Sequence, residues 1–301
     1  MIYAPIALFV YNRPSHTRQT VEALLKNELA RHSDLFIFSD AVKNSLGSDA
    51  VRDVREYIRS IIGFKSVNIL LRDENWGLAR SIIAGVSQIC EEFGRVIVLE
   101  DDLVSSPHFL TYMNDALNLY ADMPEVMHIS GSTYPVEAND SVKSYFLHLP
   151  LCWGWATWSR AWRHFDKDIK VMERFDSQMI SRFNFDGSFS NYWEQLELNR
   201  NGSIDTWFVF WYATVFLRKG LVLFPGHSLI RNIGMDGTGV HLENVGEFHK
   251  ELSIAPISLA NIAMEESVEA FNRHKRYFNS CKPTVIARMR RKISHLIRGL
   301  R

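Results

Sequence analysis

The chain has 301 residues, 47% hydrophobic and 12% aromatic, and its 34 basic and 34 acidic side chains cancel to a formal net charge of zero. That supplies core for one large domain or two small ones, and it leaves no global field to draw the chain to nucleic acid. Cys90, Cys152 and Cys281 are widely spaced, form no CxxC or zinc pattern, and fit buried thiols in a reducing compartment.

The first ten residues lack a basic start and a cleavage site, so no signal peptide is expected, and the longest apolar run, 207–217, is too short to span a bilayer. A cytoplasmic protein is expected, either free or peripheral on the inner face of the plasma membrane.

The first 130 residues alternate strand and helix patterns. Residues 6–11 predict a strand, and Ser15 a cap for a helix carrying Val21, Leu24 and Leu25. A second strand over 35–38 ends in Ser39-Asp40. Ser48 then caps a helix with Val51, Val54, Ile58 and Ile61 on one face, stopped by Gly63. After a third strand at 67–71, Leu78, Ile82, Val86, Ile89 and Phe93 mark a helix ended by Gly94. The fourth strand, 96–99, runs into Glu100-Asp101-Asp102; a helix follows Pro107, and 126–130 is a fifth strand. Strands separated by helices of this length imply an α/β fold with a doubly wound, mostly parallel, Rossmann-like sheet.

From about residue 131 the character changes. Seven tryptophans, from Trp153 to Trp211, crowd a stretch that reads as helical and irregular, without repeats or low-complexity linkers. The expected organisation is an α/β half over 1–135, a second half over 136–282 that packs on it to make one composite site, and a basic helix over 283–301. In that last segment Val285, Met289, Ile293, Leu296 and Leu300 share one face, the rest is basic, and there is no acid. Two readings stand: docking on an anionic membrane surface, or packing on the domain with a solvated basic face.

The acidic triplet carries the most chemistry. Three adjacent carboxylates at the end of a buried strand repel one another unless a cation or donor offsets them. Ligands of open α/β sheets sit outside the carboxyl ends of the strands. A divalent ion holding a diphosphate answers both points, since Mg²⁺ and Mn²⁺ take few protein carboxylates and complete their shell with phosphate and water. An acidic strand-to-helix turn is the plainer alternative.

Other strand ends bring Arg13, Asp40 and Asn75 to the same edge, with Arg80 just beyond, as donor-binding candidates. Arg13 suits a phosphate or a base, and Asp40 can accept from a ring N–H. No GxGxxG or Walker loop follows the first strand, which argues against a dinucleotide oxidoreductase or P-loop enzyme.

With these residues in place, the sequence resembles the GT-A fold glycosyltransferases, closest in layout to the N-acetylglucosaminyltransferase I family and its bacterial relatives. The resemblance covers about residues 4–245. It rests on Phe9-Val-Tyr-Asn-Arg-Pro14, Val98-Leu-Glu-Asp-Asp-Leu103 in the DXD position, Pro107-His-Phe-Leu110, Cys152-Trp-Gly-Trp155 and Ile204-Asp-Thr-Trp207. It implies that Asp102 ligates Mn²⁺ or Mg²⁺, that Glu100 and Asp101 support the donor ribose and the metal shell, and that Arg13 and Asp40 contact a uridine. Asp205 would be the base. The family pattern places two adjacent acids before the tryptophan, whereas here Asp205 alone precedes Thr206-Trp207.

The implied activity is hexosyl or N-acetylhexosaminyl transfer from a nucleotide-sugar, as a UDP-sugar, to a glycan or lipid-linked glycan, as in surface polysaccharide biosynthesis. The departing diphosphate needs a cation, the acceptor hydroxyl needs a general base, and one in-line displacement inverts the anomeric centre.

Asp205 also reads as an N-cap for the helix after it; Glu194 and Asp236 are the spare bases. Trp153 and Trp155 are candidates for an acceptor surface, though tryptophan is more often core. The glycine-rich 234–239 stretch suits a flap, with His241 beside it as a flap or metal residue. Two rivals stand: a sugar nucleotidyltransferase, which needs a glycine-rich basic loop that 12–15 does not supply, and a non-catalytic carbohydrate- or membrane-binding protein, which leaves the triplet unexplained.

Overall fold

The structure, a computed structural model, describes residues 3–43, 47–136, 144–189, 191–236, 252–259 and 262–281. The first elements are β1 (Ile6–Val10), α1 (Pro14–Leu25), β2 (Asp34–Ser39), α2 (Ser48–Arg59), β3 (Ser66–Leu71), α3 (Gly77–Phe93), β4 (Arg95–Glu100), β5 (Leu103–Ser105), α4 (Phe109–Leu119) and β6 (Val126–Ser130).

Burial on both faces explains why the central strands read as unbroken apolar runs. Ile6, Leu8 and Val10 of β1 enter one hydrophobic core, and Ala7 and Phe9 enter another. Ile97 and Leu99 of β4 divide from Val96 and Val98 in the same way. A strand covered on both sides has no polar position to alternate with. Helices α1, α2 and α4 cover the first face through Val21, Leu24, Val54, Ile58, Leu110 and Met113; α3 covers the second through Ile82, Val86 and Ile89.

Two helix starts differ from the sequence expectation. Helix α1 begins at Pro14, with Arg13 at the N-cap and no side-chain cap bond. Proline fits this first position because its φ is fixed and the N–H it lacks would be unpaired there anyway. Helix α2 begins at Ser48 itself, after Gly47. At the end of α3, Gly94 takes a left-handed φ of +76°, which turns the chain directly into β4.

The second half adds β7 (Ser144–Leu147), β8 (Trp155–Trp158), α5 (Ser159–Trp162), α6 (Ser177–Phe183), α7 (Asn191–Arg200), α8 (Phe208–Leu217), β9 (Leu221–Pro225), β10 (Ile230–Asn232) and α9 (Val268–Ser280). Strands β7 to β10 are structure that the tryptophan-rich half did not advertise.

Among the described residues one eight-stranded sheet runs β3-β2-β1-β4-β8-β6-β9-β7. Its first four strands are parallel, β6 and β9 are parallel to each other, and β8 enters antiparallel between β4 and β6, with Trp155 opposite Val98 and Ala156 opposite Ile129. The α/β class with a doubly wound, mostly parallel sheet, expected of the sequence, is the architecture of the chain.

A separate two-stranded ribbon pairs β5 with β10, matching Leu103 to Asn232 and Ser105 to Ile230. It lies just past the acidic triplet and fixes the segment after β10 there. Among the described residues no helix is long and apolar enough to cross a membrane. The basic segment 283–301 lies outside the described residues.

Candidate active site

Parallel pairing puts the carboxyl ends of β1 to β4 on one edge of the sheet, so residues far apart in sequence become neighbours. Phe9 of β1 lies opposite Glu100 of β4, and the next residues of each strand leave the sheet side by side. The backbone N–H of Tyr11 donates to Asp101 Oδ2 at 3.3 Å, and Arg13 Nη1 donates to Asp102 Oδ2 at 2.8 Å.

The ribbon brings a third strand of chain to this place. The N–H of Ile233 donates to the backbone carbonyl of Asp102 at 2.8 Å, and Gly234 N–H donates to Asn232 Oδ1 at 2.7 Å. A Cβ on Gly234 would stand 2.0 Å from Asp102 Oδ2 and 2.8 Å from Arg13 Nη1, so only glycine admits this approach. Two residues on, Asp236 accepts from His16 Nε2 at 3.1 Å and lies 3.5 Å from Arg13 Nη2. His16 was not singled out from the sequence; it sits one helical turn after Arg13 and faces the same way.

The three carboxylates differ in their surroundings. Burial, with the charges of Asp102 and Asp101, pushes Glu100 well above the usual carboxylate range. Glu100 makes no hydrogen bond or ion pair among the described residues. Burial and then the charge of Asp102 push Asp101 up to about 7, against the opposing pull of Arg13 and the Tyr11 N–H. Burial also raises Asp102, opposed by the Arg13 guanidinium. Below the triplet, burial and the Glu100 charge raise the Cys152 thiol.

Carboxylates raised in this way by burial and by one another gain from a bound cation, whose positive charge favours their ionised forms. Its all-oxygen donor set suits Mg²⁺ or Mn²⁺. Among the described residues no three His, Cys, Asp or Glu side chains converge as a protein cage. The residues therefore fit an ion held by one or two carboxylates and completed by a ligand's phosphates.

Asp40 lies at the same edge but is already engaged. Its Oδ1 accepts from the N–H groups of Ala41 and Trp76 at 3.0 and 2.9 Å, and its Oδ2 from Gly77 at 2.9 Å. It ties the end of β2 to the start of α3. Asn75 donates to the Ala41 carbonyl at 2.7 Å. The Arg80 guanidinium lies 4.0 Å from the centre of the Trp76 ring, and Arg72 lies 3.8 Å from it. Arg72 is thus a cation at this edge that the sequence reading left out of its candidate set, though it closes the third strand.

Asp205 stands apart from the triplet. It is 75% exposed and ion-paired with Lys167 Nζ, and no hydrogen bond joins it to Glu100, Asp101 or Asp102. Nor does it cap α8: Trp207 occupies the N-cap, with no side-chain cap bond. A chain of packed rings connects it to the sheet, since Trp207 stacks at 5.3 Å on Trp155, which lies opposite Val98 of β4.

Trp155 is wholly buried between Trp207 and His128 and has no free face to offer a sugar in this structure. Trp153 is partly buried. Glu194 is exposed in the first turn of α7. His241 and most of the glycine-rich stretch, from 237 onward, lie outside the described residues.

No protein-family model matches the chain, and no curated protein matches it. Solved structures similar to it are glycosyltransferases. A fragment of S. aureus TarS, residues 1–349 with UDP-GlcNAc, shares 9% identity over 80% of this chain and 62% of its own, at a TM-score of 0.43. The mannosyltransferase PcManGT from Pyrobaculum calidifontis, with GDP-Man and Mn²⁺, shares 14% identity over 57% of this chain and 47% of its own, at a TM-score of 0.35. Mouse xyloside xylosyltransferase 1 shares 11% identity over 71% of this chain and 81% of its own, at a TM-score of 0.36. The chain thus spans less than two thirds of the length of the first two.

Proposed function

We propose that this chain is a metal-dependent, inverting glycosyltransferase that moves a hexosyl or N-acetylhexosaminyl group from a nucleotide-sugar, a UDP-sugar by preference, to a glycan or lipid-linked glycan in surface polysaccharide assembly. One observation carries the reading: three adjacent carboxylates at the end of a parallel strand, Asp101 buried and Glu100 and Asp102 half-buried, with no partner for the Glu100 side chain among the described residues and Asp102 bridged to Arg13. A protein that merely needed a turn there would place neutral or exposed residues in it, because unpaired buried carboxylates are costly.

In this reading residues 1–135 hold the donor and 136–282 the acceptor. Asp102 holds Mg²⁺ or Mn²⁺, and Glu100 and Asp101 accept from the donor's ribose hydroxyls and from water in the ion's shell. When bound, the ion supplies positive charge to the departing diphosphate. Arg13 adds a fixed guanidinium beside that diphosphate, and Asp40 and Asn75 order the loop against which the base lies, with Arg80 at its rim.

Asp205 takes the acceptor's hydroxyl proton onto a carboxylate oxygen as the C–O bond forms, and Lys167 holds that carboxylate in place. One carboxylate and an attack opposite the leaving group give inversion. The basic segment 283–301 docks on the inner face of the plasma membrane, so deleting it abolishes binding to anionic liposomes; unchanged binding would remove the membrane assignment.

The test is nucleotide release from a panel of UDP-, GDP-, CMP- and dTDP-sugars, UDP-GlcNAc and GDP-Man among them. Each is run with Mn²⁺ and with chelator, wild type beside Asp102→Ala. The expected result is slow, metal-dependent hydrolysis of one donor, lost in the variant. Absence of both hydrolysis and donor binding across the panel would overturn the proposal.

A further inference from the structure

Away from the triplet, a cavity of about 240 Å³ opens where the loop after α5 meets the last turn of α8. His164, Lys170, Arg174 and Arg218 line it together with Asp166 and Asp168. The two acids are turned onto the backbone: Asp166 accepts from the Asp168 N–H at 3.0 Å, and Asp168 from the Lys170 N–H at 2.9 Å. The three fixed cations have no such partner. Among the described residues, no carboxylate pairs with Lys170, Arg174 or Arg218. Burial, and then the charges of Arg218 and of Arg163 beside it, push the His164 imidazole below its ordinary value.

We infer that this cavity binds an oxyanion, a phosphate or carboxylate group, carried by the acceptor glycan. Two guanidiniums suit this class because each offers a planar pair of N–H donors that matches two oxygens of a carboxylate or phosphate. The cavity is too small for a nucleotide or a polymer and takes one charged group. Its place ties it to the acceptor. The loop that supplies Asp166 and Asp168 also supplies Lys167, which pairs with Asp205, so one short segment touches both the cavity and the proposed base. The charged substituent of an acceptor engaged at Asp205, or of its neighbouring sugar, is the group the proposal assigns to Arg174 and Arg218. This acceptor class rests on the transferase reading above, whereas binding of the anion does not.

The experiment uses the full chain with ¹⁵N-labelled arginine, at constant ionic strength. Inorganic phosphate, methyl β-glucuronide and methyl β-glucoside are titrated while the side-chain N–H signals are followed. The expected result is a saturable shift with phosphate, with the glucuronide, or with both, and none with the glucoside. A phosphate-only response assigns a phosphorylated acceptor, and a glucuronide-only response a uronic acid.

The double variant R174Q/R218Q should bind roughly tenfold more weakly or not at all. In Asp102→Ala, whose donor site is impaired, the anion response should persist. Silence with both anions, an equal response to the glucoside, or a response lost in Asp102→Ala but kept in R174Q/R218Q would each overturn the proposal. Anion binding in a protein that turns over no nucleotide-sugar would keep the site and remove the transferase reading instead.

Discussion

Arg13 and Asp102 meet in a 2.8 Å ion pair at the ends of two adjacent parallel strands, directly beneath the backbone of Gly234. Because a Cβ at 234 would stand 2.0 Å from Asp102 Oδ2, Gly234→Ala must move the ribbon or break the pair. Overpacking of this kind costs roughly 1–3 kcal/mol. The expected outcome is a small fall in Tm and a larger one, about tenfold or more, in metal-dependent donor affinity, since the displaced atoms are the proposed ligand and its neighbour. Thermal unfolding beside donor titration separates the two; unchanged donor affinity would count against a site at this place.

Asp101 gives a pH dependence with a definite sign. Its folded-state value is raised to about 7 by burial and by Asp102, above that of the unfolded chain, so the folded protein binds the extra proton. That contribution is full at low pH and is lost as pH rises through the folded value, penalising the metal-free protein above neutrality. Asp101→Asn removes the penalty and should raise the stability of the metal-free protein at pH 8 by roughly 1–3 kcal/mol, with little gain at pH 4. Mn²⁺ with a donor should then stabilise wild type more than the variant at pH 8. Denaturant unfolding at the two pH values checks this.

What could be read from the sequence followed from local pattern. Continuous apolar runs marked β1 to β4, and parallel order then sent Arg13, Asp40 and the triplet to one edge whatever the details of packing. The short strands β7 to β10 were not legible. Trp155-Ala-Thr-Trp158 is buried at every position, so it shows neither alternation nor a helical stripe, and its antiparallel entry between β4 and β6 depends on long-range pairing. The same burial makes Trp155 a core residue, which a tryptophan beside glycine does not announce. The Arg13–Asp102 pair spans 89 residues of sequence, and the closeness of Gly234 depends on the β5–β10 ribbon, which no periodicity reveals.

His128 supplies a second titration, of opposite sign. It is fully buried, stacked on Trp155 at 5.1 Å, and its Nδ1 accepts from Trp211 Nε1 at 3.1 Å while Nε2 faces the Leu151 carbonyl at 3.0 Å. The ring is therefore neutral, with the proton on Nε2, and burial lowers its value to about 3. The unfolded chain takes up the proton first. Stability is full above about pH 6.5 and is lost on acidification from there towards 3, at up to about 1.4 kcal/mol per pH unit. His128→Gln, which keeps an acceptor and a donor, should flatten this acid limb while lowering stability at pH 7 through poorer packing. The slope of unfolding free energy between pH 4 and 6.5 is the readout, and an unchanged slope would place the acid sensitivity elsewhere.

Asp205 is the last residue with two roles to separate. As the general base it makes Asp205→Asn lower kcat by about 10²–10⁴ with donor binding intact, because the amide cannot take the acceptor's proton. As a mere surface ion pair with Lys167 it is worth about 1 kcal/mol or less, and the variant would change Tm slightly and turnover not at all. Its high exposure and the missing cap bond on α8 remove the helix-capping explanation, so the kinetic outcome decides. Lys167→Ala sharpens the test. Freed of its ammonium partner the carboxylate is less well held, and kcat should fall by about tenfold while the donor KM stays put. Equal losses of donor affinity in both variants would instead place the pair at the nucleotide side of the site.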